Sequence, residues 1–422
     1  MENAIREYDW GSTTTLAQLQ GRRPTGRPEA ELWVGAHPVA ASRLIRPDGV
    51  RIGLGEAIEA DPDGLLGASC TGRFGPRLPF LLKVLAVERA LSIQVHPTRE
   101  QAAEGYAAEE ESGVPAGRRS YVDPYAKPEM LVAVTPFVAL AGLRDAAAAA
   151  RLLGLLDLAA LRPLVDALVS GVGDGRRVTA EILITLATWP NSERQALSAA
   201  VSGRVGQLLT GAAAADGPAG PDGLAGPDGP DPGDRADLEW VQALAGQHPN
   251  DPMMLAPLIL QVQRLAPGRA MFLPAGVPHA YLSGTGVELM GSSDNVVRAG
   301  LTHKRVDSAL LATLLDPVAE VAVDVPWTRI GATEQLCGTD VIEFALSRLV
   351  TDGKPVVLAG AWSGPQVLLC MAGEVSVAAG GRQLTIGPGQ SAFLPPSTSP
   401  VVLLGAADVF RAGVGKRGVG KR

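Results

Sequence analysis

The octapeptide PGRAMFLP at Pro267–Pro274 returns 121 residues later as PGQSAFLP at Pro388–Pro395. In both copies a Pro-Gly turn feeds a short apolar run that stops at proline. Proline presets φ and glycine accepts a positive φ, so the pair suits a tight turn. The run between is too short for a helix and fits one strand. A hairpin unit used twice predicts two related β-barrels. The copies differ in chemistry. His279 follows Pro274 by five residues, whereas the equivalent place in the second copy is Pro400. The second barrel contains no histidine, which predicts a structural or regulatory role for it.

Residues 1–142 carry short apolar runs punctuated by Gly and Pro and read as strands, with one helix expected over Thr98 to Glu111. From Asp145 the pattern changes to DAAAAARLLGLLDLAALRPLVDALVSG, then VTAEILITLATW and the run from Asn191 to Leu209, all with helical period. A helical domain over 143–249 is therefore expected between two parts of the first barrel, 1–142 and 250–320. Within it, residues 211–237 repeat GPDG and are too poor in apolar side chains to bury a core, so a loop is expected there. Residues 321–412 are assigned to the second barrel. The tail at 413–422, GVGKRGVGKR, is expected to be a solvated basic end.

The 422 residues are 46% hydrophobic with a formal net charge of −7. No acidic or basic block lies inside the folded part, so there is no sign of nucleic-acid binding. The start, MENAIREYDWGS, lacks a basic-then-apolar leader, and no apolar run reaches membrane-spanning length. Cys70, Cys337 and Cys370 are few, odd in number and far apart, as reduced thiols of a cytoplasmic protein would be.

Gln94 and His96 lie two apart in the apolar run LSIQVHP, so on a strand both side chains reach the same face. Glu129 in DPYAKPEM and His279 in FLPAGVPHAY could complete an N/O donor set suited to Zn²⁺. No cysteine takes part, which argues against a closed structural zinc knot. An open position would let such a metal polarise a substrate oxygen.

Five blocks then run in the order found in one enzyme family. They are YDWGS (Tyr8 to Ser12), AELWVGAHP (Ala30 to Pro38) and LPFLLKVLAVERALSIQVHP (Leu78 to Pro97). YVDPYAKPEM (Tyr121 to Met130) follows, then FLPAGVPHAYLSGTGVELMGSSDNVVRAGLTHKRVD (Phe272 to Asp307). The chain resembles the type I mannose-6-phosphate isomerases, zinc-dependent cupin enzymes. The resemblance implies one zinc per chain on Gln94, His96, Glu129 and His279. It also implies barrels of the cupin jelly-roll type and interconversion of mannose 6-phosphate and fructose 6-phosphate, feeding mannose activation. A monomer that binds a phosphorylated hexose, and neither nucleic acid nor membrane, is expected.

Moving a proton between C1 and C2 through an enediol needs a carbonyl polariser, a proton carrier and a phosphate anchor. The catalytic candidates are Arg298, Glu288 and Lys127. The resemblance marks Arg298 as the active-site arginine. An arginine is effectively never a neutral base, so its role is electrostatic. Glu288 is the preferred proton carrier and Lys127 its rival. Ser92 shares the Gln94 face. Ser92 and Lys304 are expected at the phosphate, with Lys83 and Asp294 as further substrate contacts. Only six of the 37 Lys and Arg are lysines, and Lys83, Lys127 and Lys304 all fall inside the quoted blocks. In a chain that otherwise uses arginine, a retained lysine suggests a need for a compact ammonium. One departure is plain: Tyr125 and Ala126 stand where the family has Asn-His, so no proton-transfer role for that His carries over. A non-catalytic sugar-phosphate sensor on the same scaffold is the alternative reading.

Overall fold

The computed structural model describes all residues except 47, 212–229, 305, 359–361, 363 and 416–422. Two antiparallel sheets share one long strand, His279–Gly291. Its last eight residues pair with Phe80–Val87 and also with Glu129–Ala133. Glu31–Gly35 extends this first sheet beyond Phe80–Val87, and Ala270–Leu273 extends it beyond Glu129–Ala133. The first residues of the long strand pair instead with Ile93–Val95 and Phe137–Leu143, in a second sheet that also holds Val297–Gly300 and Leu260–Leu265. The strand changes sheets at Gly284. Its φ is +117°, and a Cβ there would sit 2.6 Å from the Pro136 carbonyl oxygen, so only glycine fits.

Side-chain alternation then sets each face. On the first sheet Leu82, Val84, Met130, Val132, Val287 and Leu289 enter one apolar core. On the second, Ile93, Val95, Leu140, Ala280 and Val297 enter another. The opposite faces look at each other. Leu85, Leu131, Ala139, Ala141, Met271 and Tyr281 close one end of the gap. Polar side chains occupy the other end.

The helical region packs on the back of the second sheet through Leu152, Leu183, Val201 and Leu238, which share a core with Ile93 and Val95. Asp145 caps the first helix, Ala146–Gly154, by accepting from the backbone of Ala148. The helix expected from Thr98 forms as Arg99–Glu111. Thr98 and Gln101 make a reciprocal capping box, whose loss would cost about 1 kcal/mol. One boundary moves. A helix begins at Pro232, inside the stretch expected as a loop, because Asp231 caps it and Asp234 is held by Arg151. Low-complexity composition thus runs six residues into ordered helix. Four short helices, at Thr15–Leu19, Leu54–Ala60, Pro62–Leu66 and Ala68–Phe74, also lie in the part read as strands. None exceeds seven residues, too few to show a period.

Residues 212–229 of the low-complexity stretch and 416–422 of the tail lie outside the described residues. The helices on either side of residues 212–229, Asn191–Thr210 and Pro232–Gln247, are tied by a bond from the Arg235 guanidinium to the Leu209 carbonyl at 2.5 Å. Replacing 212–229 with a short Gly-Ser linker should therefore shift the melting temperature by no more than a few degrees, because closure entropy depends weakly on loop length. A scanning-calorimetry comparison checks this, and a large loss would show that the stretch packs.

The C-terminal part is a six-stranded sheet facing a four-stranded one, with Leu349, Leu368, Val377, Leu403 and Val409 between them. The two echoed octapeptides form the same unit, a turn and then a strand, at Ala270–Leu273 and Ser391–Leu394. Ala322–Val323 pairs with Ala270–Leu273, so the first sheet extends past residue 320. Among the described residues the strand pairings form open, facing sheets and do not close into a ring. The expected barrels therefore appear as sandwiches. Val325, Leu346, Val367 and Phe410 join Leu82 and Val287 in one core, so the two halves share an interior.

Candidate metal centre and substrate cavity

Cross-strand register lines up the central residues. Gln94 lies directly opposite His279 on one side and Arg298 on the other. Directly opposed residues share a face, so all three side chains look into the gap. On the first sheet Trp33, Lys83 and Glu288 stand in one row. Glu129 shares that face, two residues before Leu131, which pairs with Glu288.

The Glu129 carboxylate bridges two imidazoles, with Oε1 3.1 Å from His96 Nε2 and Oε2 3.2 Å from His279 Nε2. The ligand atoms of the three lie within 4.8 Å of one another, and all three residues are buried. Each ring is oriented from behind. His96 Nδ1 donates to the Asn295 carbonyl at 2.7 Å, and His279 Nδ1 to that of Val277 at 2.9 Å. Both Nε2 lone pairs therefore face inward, in the tautomer a metal requires. Burial, then Lys127, pushes the His96 imidazole down to about 4, so it stays neutral. Its Nε2 is buried without a hydrogen-bond partner, an orphaned acceptor that a cation would satisfy. Burial alone would raise Glu129, but Lys127, its Nζ 3.0 Å away, holds it well below the usual carboxylate range. Two imidazoles, a carboxylate and the Gln94 amide beside them fit zinc and leave room for a substrate oxygen.

A cavity of about 610 Å³ opens in front of this cluster. Lys83, Ser92, Gln94, Lys127, Glu129, His279, Glu288, Asp294, Arg298 and Lys304 all line it, and His96 stands behind Glu129. The residues singled out in the sequence thus converge on one place. Lys83 Nζ is 3.2 Å from Glu288 and 3.6 Å from Glu31. The Tyr281 hydroxyl donates to Glu288 at 2.8 Å. Burial, partly offset by Lys83, raises the Glu288 carboxyl above its ordinary value. Burial, then Glu288, keeps Tyr281 a phenol. Arg298 is half-buried and has no carboxylate partner among the described residues, while Lys304 is exposed at the rim.

Glu31, Trp33, His37 and Tyr281 were not singled out. Tyr281 could have been, since it follows His279 by two on the same strand. Ala126 settles a different point. It lines a second cavity together with Pro128, on the other side of the segment from Lys127 and Glu129. The residue that departs from the family pattern therefore faces away from the metal cluster.

Facing sheets with an open N/O metal centre and spare cations beside it define a metal-assisted enzyme for a small anionic substrate. Residues 1–146 match the family model described as phosphomannose isomerase type I, catalytic domain. Mannose-6-phosphate isomerase of Escherichia coli K12 is 33% identical over 417 residues, 97% of each chain. That of Aspergillus fumigatus is 29% identical over 97% of this chain and 94% of its own. Among solved structures, a variant of phosphomannose isomerase from Salmonella typhimurium superposes with a TM-score of 0.81 at 29% identity over 98% of both chains. A zinc-bound mannose 6-phosphate isomerase gives 0.80 at 31% identity over 98% of both. The chain belongs to the type I mannose-6-phosphate isomerase family.

Proposed function

We propose that this chain interconverts mannose 6-phosphate and fructose 6-phosphate, with one zinc ion held by Gln94, His96, Glu129 and His279. The observation that carries the reading is the orphaned His96 Nε2 beside Glu129 and His279, in a cavity also lined by Arg298 and Lys304. When bound, the zinc supplies Lewis acidity toward the sugar carbonyl. The chain's own groups do the rest. Glu288, raised by burial, takes and returns a proton readily and moves it between C1 and C2. Lys83 and Tyr281 hold that carboxyl in place. Arg298, without a carboxylate partner among the described residues, faces the charge that develops on the enediolate oxygens. Lys127 stays beside Glu129 and adds positive potential at the same place. Lys304 and Ser92 anchor the phosphate, and Asp294 accepts from sugar hydroxyls.

The facing sheets of 1–142 and 250–320 form the catalytic cupin-type unit in this reading, with 143–249 its helical insertion and 321–412 a cupin-type unit without metal. In this reading the chain acts as a monomer. Among the described residues no helix is long and apolar enough to cross a membrane. The three cysteines are free and buried, which supports a cytoplasmic setting. A coupled assay on the purified protein should show fructose 6-phosphate forming from mannose 6-phosphate. Binding of the phosphosugar without conversion would favour the sensor reading instead.

A further inference from the structure

The AELWVGAHP block is left over once these roles are assigned. Trp33 and Glu31 line the cavity from the strand Glu31–Gly35, and His37 follows just past its end. His37 is 3% exposed, and its Nε2 lies 3.4 Å from Asp294 Oδ1. Its Nδ1 accepts from the Val39 amide at 3.4 Å, which places the ring proton on Nε2 and makes the imidazole a donor to Asp294. The ring packs edge-on against Trp33 at 4.9 Å between centroids. Trp33 donates in turn to Glu31, and Lys83 Nζ lies 5.1 Å over its ring. The block therefore grips two substrate-facing groups at once, Lys83 through Glu31 and Asp294 through His37.

Asp294 is 43% exposed, and it borders both the metal cavity and a smaller one of about 330 Å³ that shares Arg298. Its backbone is pinned, since its amide donates to Asp123 at 2.8 Å. The hydrogen bond from His37 is the largest influence holding its carboxyl below the ordinary range. An ionised carboxylate only accepts, and sugar hydroxyls are donors.

We propose that His37 is a positioning residue, which fixes the Asp294 carboxylate as the acceptor for hexose hydroxyls at the cavity wall. The inference rests on the isomerase reading and adds to it the group that orients the sugar. Two substitutions separate donor from packing. His37→Phe keeps a ring against Trp33 and removes the donor. His37→Gln loses the ring and keeps an N–H toward Asp294. Positioning predicts that His37→Phe lowers kcat/KM about 10- to 100-fold and that His37→Gln stays within about threefold of wild type. Zinc content should be unchanged in both. In a double-mutant cycle, His37→Phe added to Asp294→Asn should cost less than about a further twofold, because both remove the same contact. The reverse order, with His37→Phe active and His37→Gln impaired, would overturn the proposal in favour of simple packing. So would full additivity with Asp294→Asn. A wild-type protein without isomerase activity would fail earlier, and would overturn the functional reading together with this one.

Discussion

His279→Ala protein is expected to fold, to lose its zinc and to show no measurable isomerase activity. The ring is held from behind by the Val277 carbonyl and meets Glu129 at 3.2 Å. Its removal leaves His96, Glu129 and Gln94, one donor short of the set. Loss of an outer hydrogen bond to a ligand already costs about 10- to 100-fold in metal affinity, and loss of the ligand itself must exceed that. Glu129 keeps Lys127 and His96 as partners, so no buried charge is stranded and the sheet should persist. Elemental analysis with a thermal melt checks all three statements. Full zinc retention in a folded His279→Ala protein would remove His279 from the ligand set.

Arg298→Ala should fail in the opposite way, keeping its zinc and losing rate. Arg298 lies opposite Gln94 in the sheet, lines the cavity and is half-buried. Burial lowers its pKa, yet a guanidinium remains charged at any working pH. A cation held there without a carboxylate partner carries a desolvation cost that only an anionic substrate or transition state offsets. Removing such a donor costs on the order of 10²–10³ in kcat. Steady-state kinetics beside zinc analysis would show it. Normal turnover in Arg298→Ala would leave the enediolate without its proposed stabiliser.

Much of the site was readable from short-range patterns. Ser92, Gln94 and His96 alternate with Ile93 and Val95, and period two alone puts them on one face. Lys127 and Glu129 follow the same rule. The partners that orient them were not readable. His96 leans on Asn295 and Asp294 leans on His37, contacts that span 199 and 257 residues and depend on the sheets meeting face to face. The change of sheet at Gly284 was equally hidden, because a glycine in an apolar strand looks the same whether it bends the chain or not. The echo at Pro267 and Pro388 identified the repeated turn and strand, but local sequence cannot say whether the sheets built from them close. At 231–237 composition misled: one capping aspartate outweighed the Gly/Pro-rich stretch before it. The place of Ala126 was not readable either: its side chain lines another cavity, so the lost proton-transfer role of the family His leaves the ligand cluster itself untouched.

In the proposed reaction a single metal centre, built by this chain's first pair of sheets, drives the isomerisation. Titrating zinc into chelator-treated protein while following fructose 6-phosphate formation tests this. Activity should be absent without metal, rise in proportion to added zinc and level off at about one equivalent per chain, as one four-donor set dictates. Full activity in metal-free protein, or a plateau only at two equivalents, would contradict it.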